Sequence, residues 1–301
     1  MKKRMTAWGL LFVICALMLG GCASKNAGKI TIATKPMTEQ FVLGEMLKQL
    51  IEAQTDIKVE LTKGIGGGTS NIHPALLKGD FDLYPEYTGT AWNFVLKRGE
   101  IPEEEELLAQ LKETYMQDYD LKWVGLYGFN NTFALTMRQE QAEELGVTTL
   151  SELGGVSGRL QFGSSYDFYE REDGYDALCD MYGLKFKKTL DIDIGLKYAA
   201  IESGELDVMT SFTTDGLLHV SNLKILEDDQ NFFKTYYCGT VVRNETLKKY
   251  PELEPVFMQM DGLISNEDMS RLNYEVEEEK KSEQEVAREF LIEKGLLEAD
   301  E

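Results

Sequence analysis

The chain has 301 residues, with 52 Asp and Glu against 31 Lys and Arg and a formal net charge of −21 at pH 7. Such an acidic surface repels nucleic acid and anionic lipid, which excludes both as partners recognised by charge. Only two histidines are present, and neither has a Cys or carboxylate beside it at ligand spacing, so most metal sites are excluded.

At the start of the chain Lys2, Lys3 and Arg4 precede the apolar run Ala7–Leu19. That run is shorter than the roughly 20 residues needed to cross a bilayer, and small residues follow it, which is the layout of a signal peptide. Leu19-Gly20-Gly21-Cys22 resembles a bacterial lipoprotein box. The resemblance implies a leader over residues 1–21, lipidation of Cys22, a polar tether over residues 22–28, and anchoring to the cell membrane on its extracytoplasmic face. Cys15 leaves with the leader, and the spacing of Cys179 and Cys238 leaves open whether they pair or are two small buried hydrophobes.

Beyond the tether, Lys29–Ala33 alternates as a strand and a helix follows it. Thr38 suits its N-cap, Glu39 suits the positive end of its dipole, and Leu43, Met46, Leu47, Leu50 and Ile51 form an apolar stripe. With a second strand at Ile57–Thr62 this is a βαβ unit. The stretch Gly64–Thr90 is rich in turns. A short helix is expected through Leu77, capped by Ser70 or Asn71 and ended by Gly79, and then a strand at Asp82–Tyr84. A Tyr87-Thr88-Gly89-Thr90 loop is expected at that strand's carboxyl end, where open α/β sheets bind ligands. Gly66-Gly67-Gly68-Thr69 offers amides to an anion but lacks the phosphate-loop lysine, so it reads as a support at the edge of a cleft.

A helix near Ala91–Leu96, an acidic helical region over 100–119, and strands at Leu121–Gly128 and Thr132–Arg138 come next. The pattern then restarts, with helices at Gln139–Leu145, Leu150–Leu153, near Gly174–Tyr182 and at Ile194–Ser203. Strands are expected between them at Arg159–Phe162, Lys185–Asp191, Asp207–Phe212 and Leu223–Leu226. From about Pro255 the tail is helical, with Val286, Ala287, Phe290 and Leu291 on one face, and is expected to pack on the first lobe. The whole predicts an α/β fold of two lobes hinged about a cleft, residues 29–129 with 235–301 forming the first lobe and 130–234 the second.

Four aromatics stand at the ends of strand candidates in polar, turn-prone contexts: Tyr87, Phe133, Phe212 and Tyr236. A quaternary ammonium held among such rings gains roughly 0.5–2 kcal/mol per ring and needs no hydrogen-bond partner. Spacing alone leaves the four readable either as such a cage or as ordinary strand-end core. No nucleophile elbow or zinc-binding His-Glu-x-x-His occurs, and paired carboxylates are too common here to nominate a hydrolase. An enzyme on a bilobal fold stays as the alternative from another class.

Six stretches together resemble the glycine betaine/choline-binding proteins of osmoprotectant ABC transporters. They are Gly67-Gly68-Thr69, the run from Leu83 to Thr90, the run from Gly128 to Leu135, Arg171-Glu172-Asp173-Gly174, the run from Ser211 to Gly216, and Leu272-Asn273-Tyr274. The resemblance implies a two-lobed periplasmic-binding-protein fold of the second type, and a non-catalytic, monomeric receptor without a cofactor. Its partners would be a small quaternary ammonium ligand, a membrane permease and that permease's ATPase. It places the cage on Tyr87, Phe133, Phe212 and Tyr236, the ligand's carboxylate on Arg171, and polar contacts near Asn131, Gln40 and Thr69. The family commonly has tyrosine at Phe133 and Phe212. Glycine betaine, choline, carnitine and ergothioneine therefore all stay open as ligands, as does another solute such as an amino acid.

Overall fold

The computed structural model describes residues 28–99, 101–165, 168–169, 174–192 and 196–299. The leader, Cys22 and Arg171 lie outside them.

Two five-stranded sheets organise the chain. In β1 (Lys29–Ala33), Ile30 and Ile32 face the core while Lys29 is exposed, the alternation of a strand buried on one side. It pairs in parallel with β2 (Lys58–Thr62) and with β3 (Leu83–Tyr87). Between β1 and β2 runs the Thr38–Gln54 helix, whose predicted stripe is withdrawn from water. That stripe packs on Val286, Ala287, Phe290 and Leu291 of the last helix, Glu283–Glu293, so the tail closes the first core as expected. Burial of each such side chain stabilises the fold by about 1.5–3 kcal/mol.

The first sheet has the order β2-β1-β3-β10-β4, where β4 is Leu121–Asn130 and β10 is Tyr237–Arg243. The second has the order β7-β6-β8-β5-β9. Its strands are β5 (Phe133–Arg138), β6 (Gln161–Ser164), β7 (Lys188–Asp191), β8 (Val208–Phe212) and β9 (Leu223–Ile225). The sheets are built alike. Each has three parallel strands, and its antiparallel fourth strand is the one that arrives from the other sheet: β10 beside β3, and β5 beside β8.

Several expectations need correction. Thr38 does not cap its helix; Met37 takes the N-cap position without a side-chain bond. Ser70 and Asn71 do not cap theirs either, because they donate backwards to the carbonyls of Gly67 (2.7 Å) and Gly66 (2.6 Å) and rigidify the glycine turn. The Tyr-Thr-Gly-Thr stretch is a helical turn over Thr88–Thr90 that continues as a π-helix over Ala91–Val95, not an open loop. The acidic helix is Glu104–Tyr119, and the tail is three helices, the first being Leu253–Met258 and the second Asn266–Glu277. β10 was given no bounds in the sequence beyond the strand end marked by Tyr236, and it pairs on both sides within the first sheet. Gly79 does end its helix, in the left-handed conformation. Cys179 and Cys238 are free thiols. His73 is a packing residue, its ring edge-on to Tyr115 and Tyr119.

Candidate ligand site

The site forms where the chain passes between the sheets. The first passage is the Asn131-Thr132 step from β4 to β5, and the second is the approach to β10 through Lys234, Thr235 and Tyr236. The two lie side by side and are cross-linked. The Asn131 amide donates to the Tyr236 carbonyl (3.3 Å), the Thr132 hydroxyl to the Lys234 carbonyl (3.0 Å), and the Tyr236 amide to Asn130 Oδ1 (2.7 Å).

On the second sheet Phe133 opens β5 and Phe212 closes β8 as direct cross-strand partners, with ring centroids 4.7 Å apart. Phe233 joins them, its ring 6.3 Å from that of Phe133. On the first sheet the ring of Tyr236 lies over Gly89, where a Cβ would meet ring carbons at 2.6 Å. Only glycine permits that approach, which accounts for the residue inside the Tyr-Thr-Gly-Thr turn. A second glycine does the same between motifs, since a Cβ at Gly216 would stand 2.8 Å from the Tyr274 amide.

Asn131, Phe133, Phe212, Phe232, Phe233 and Tyr236 line one cavity of about 760 Å³ that draws walls from both halves of the molecule. Asn131 and Phe212 also line an adjoining chamber of about 130 Å³, walled by Thr38, Glu39, Thr214, Asp215, Asn273 and Glu277. A further cavity of about 770 Å³ beside β4 and the acidic helix contains none of the motif residues.

Tyr87, Gln40 and Thr69 line none of these spaces; they form a polar layer behind the site. Glu86 is fully buried at the centre of this layer. It is paired with the Lys35 ammonium and accepts from the Thr69 hydroxyl (2.6 Å) and the Tyr87 amide (2.7 Å). The same ammonium sits 4.6 Å from the Tyr87 ring centroid, so an internal cation takes one face of that ring. The Gln40 amide reaches the Cys238 sulfur at 3.7 Å. The Tyr87 hydroxyl donates to Glu39, and Asn131 Nδ2 donates to the same carboxylate oxygen at 3.1 Å. Tyr87 thus touches the site through Glu39. Burial pushes the Glu39 carboxyl above its ordinary value, opposed by the Tyr87, Asn131, Thr214 and Asn273 side chains.

Sequence reasoning missed Glu39, which has no signal of its own beyond a first-turn acidic residue. It also missed Thr214, Asn273 and Phe233, although the first two sit inside motifs already singled out and Phe233 is two residues from the Thr235-Tyr236 pair. Arg171 is outside the described residues.

Residues 28–293 match the family described as the substrate-binding domain of the ABC-type glycine betaine transport system. The chain belongs to this family. It is 43% identical to the ergothioneine transport permease/ergothioneine binding protein EgtU of Helicobacter pylori over 89% of its residues, and spans about half, 48%, of that protein. It is 35% identical to the carnitine transport binding protein OpuCC of Listeria monocytogenes, with 99% of each chain covered. Among solved structures, a glycine betaine/carnitine/choline ABC transporter crystal structure superposes with a TM-score of 0.85 at 30% identity, covering 90% of this chain and 99% of that one. Apo YehZ from Escherichia coli gives 0.76 at 25% identity, covering 90% of this chain and 100% of the other. The two-sheet, α/β architecture is that of the family's binding proteins, and a substrate-binding role in ABC transport comes with membership.

Proposed function

We propose that this chain is the extracytoplasmic receptor of an ABC importer, that it captures a trimethylammonium compound between its two lobes, and that it hands the ligand to a membrane permease served by an ATPase. One observation carries the reading: Phe133, Phe212, Phe233 and Tyr236 surround a single cavity at the passage between the sheets. Rings so placed offer a quaternary cation their negative faces in a partly dry space, where each is worth roughly 0.5–2 kcal/mol. Arg171 is the expected partner of the ligand's carboxylate, through a two-pronged charge-assisted bond. Residues 29–129 with 235–301 move as one lobe and 130–234 as the other, the ligand favouring the closed state by its contacts to both. Lipidation of Cys22 holds the monomer at the membrane. Among the described residues no helix is long and apolar enough to cross one. The protein performs no chemistry on its ligand.

The relatives bind glycine betaine, carnitine or ergothioneine by name, and this chain draws on the same class. Titration calorimetry with glycine betaine, choline, carnitine and ergothioneine is expected to show binding of at least one. The Tyr236→Ala variant is expected to lose most of that affinity while still melting cooperatively, at a somewhat lower temperature, without ligand. Absence of heat and of a melting shift with all four compounds overturns the reading, and unchanged affinity in the variant removes the cage from it.

A further inference from the structure

The stretch from Leu226 to Tyr236, between β9 and β10, is irregular, yet it gives the large cavity Gln230, Asn231, Phe232, Phe233 and Lys234. It is pinned at both ends. The Glu227 amide donates to the Thr148 carbonyl and its carbonyl accepts from the Leu150 amide, each at 2.9 Å, while the Lys234 carbonyl accepts from the Thr132 hydroxyl at 3.0 Å.

Between the pins, four consecutive amides converge on one residue and its partner. The Asn231 amide donates to the Asp228 carbonyl (3.1 Å), the Phe232 amide to Asp228 Oδ1 (3.0 Å) and the Phe233 amide to Asp228 Oδ2 (2.7 Å). The Gln230 amide donates to the Tyr182 hydroxyl (2.9 Å), which itself donates to Asp228 Oδ1. Burial and the bond to Asp228 hold that hydroxyl above its ordinary pKa, so it stays a donor to the carboxylate. Asn231 takes the left-handed conformation that so tight a wrap demands, at φ 56°, and asparagine tolerates it better than most residues.

Tyr182 ends the Tyr175–Tyr182 helix, whose Ala177 and Met181 line the same cavity, and its ring is buried in the core of the second lobe. Asp228 therefore sets the path of one cavity wall and ties it to the helix that forms the next. What the path presents is aromatic. Phe233 stands edge-on to Phe232 at 5.1 Å and lies 6.3 Å from Phe133 and 6.5 Å from Phe168. Bonds to a carboxylate are stronger than those to a neutral oxygen, and an irregular segment has no ladder to replace them.

We propose that Asp228 is a positioning residue for ligand binding: by collecting the Phe232 and Phe233 amides and the Tyr182 hydroxyl, it holds Phe233 in the aromatic wall and sets affinity without touching the ligand. The inference rests on the receptor reading above and adds a residue to it. Without the carboxylate the wall is not built before the ligand arrives, and the cost of ordering it falls on binding.

The test is a double-mutant cycle on binding, read by calorimetry on the whole mature chain. The probe is whichever of glycine betaine, choline, carnitine and ergothioneine the wild type binds most tightly. Asp228→Ala is expected to weaken binding about tenfold, and Phe233→Ala by a similar factor. Because the first acts through the second, Asp228→Ala made in the Phe233→Ala background is expected to cost less than about threefold further. Tyr182→Phe keeps the buried ring and removes only the hydroxyl, so it carries the test if Asp228→Ala does not fold. It is expected to weaken binding about threefold, again only while Phe233 is present. A lowered melting temperature with unchanged affinity would make Asp228 a cap that only stabilises the lobe, and overturns the proposal. Losses that multiply in the double variants overturn it too, and both results leave the receptor reading standing. A wild type that binds none of the four compounds overturns both.

Discussion

Glu39 joins the two layers of the site, since its buried carboxylate is held by Tyr87 behind and the residue lines the small chamber in front. Its carboxyl is pushed up chiefly by burial, so the folded chain binds its proton more tightly than the unfolded chain does. The sign of the linkage follows. The unfolded state holds fewer protons between the ordinary value of 4.5 and the raised one, so the stability from this group is present below that window and is lost as pH rises through it. In urea titrations without ligand, the wild-type midpoint is expected to fall more steeply with pH across the window than that of Glu39→Gln, which cannot ionise there. Parallel curves would mean that Glu39 is ionised at its ordinary value.

The helical turn at Thr88–Thr90 fixes one aromatic wall through a backbone approach. Gly89→Ala places a methyl group against the Tyr236 ring carbons, 2.6 Å away at an ideal Cβ position, and the ring has to leave its place. The expected result is a loss of ligand affinity of about tenfold or more with a stability cost of about 1–3 kcal/mol. Gly146→Ala is the control. It meets nothing within 4 Å and carries only the strain of its left-handed backbone, about 1–2 kcal/mol, without affecting binding. If Gly89→Ala binds like the wild type, the turn does not position the ring. How much could be read from sequence differs sharply between such elements. The Thr38–Gln54 helix was legible because its apolar stripe repeats at helical spacing and is buried on one side. The strand β10 was not, because Tyr-Cys-Gly-Thr-Val-Val-Arg is buried on both faces and has no alternation to detect. Phe133, Phe212 and Tyr236, marked in the sequence by their place at strand ends, line one cavity. The surroundings of Tyr87 were not legible, because the Lys35 cation over its ring and the Glu39 carboxylate on its hydroxyl come from positions 52 and 48 residues away, and such pairings leave no local trace. Asn273 was hidden for the same reason, since its partner Thr214 is reached only through the packing of the Asn266–Glu277 helix on the Gly216 turn.

At the scale of the whole molecule, the two sheets are joined by two passages of chain, from β4 to β5 and from β9 to β10, the arrangement expected of halves that rotate about a shared axis. X-ray scattering is expected to show a smaller radius of gyration when a saturating trimethylammonium ligand is added, and a melting shift should accompany it. Ligand at a hundredfold over its dissociation constant stabilises the folded state by about 2.7 kcal/mol. An unchanged radius together with a melting shift would mean that the free chain is already closed. The crossings have another consequence. Asn131 and Tyr236 stand on the two passages and Phe133 opens the strand after the first, the passages being tied by the Asn131–Tyr236 and Thr132–Lys234 bonds. The passages between the sheets and the aromatic lining of the cavity are therefore one piece of backbone. A permease that grips the outer surface of both halves and twists them apart would not need a separate trigger to free the cargo, because the torque that opens the jaws also dismantles the grip.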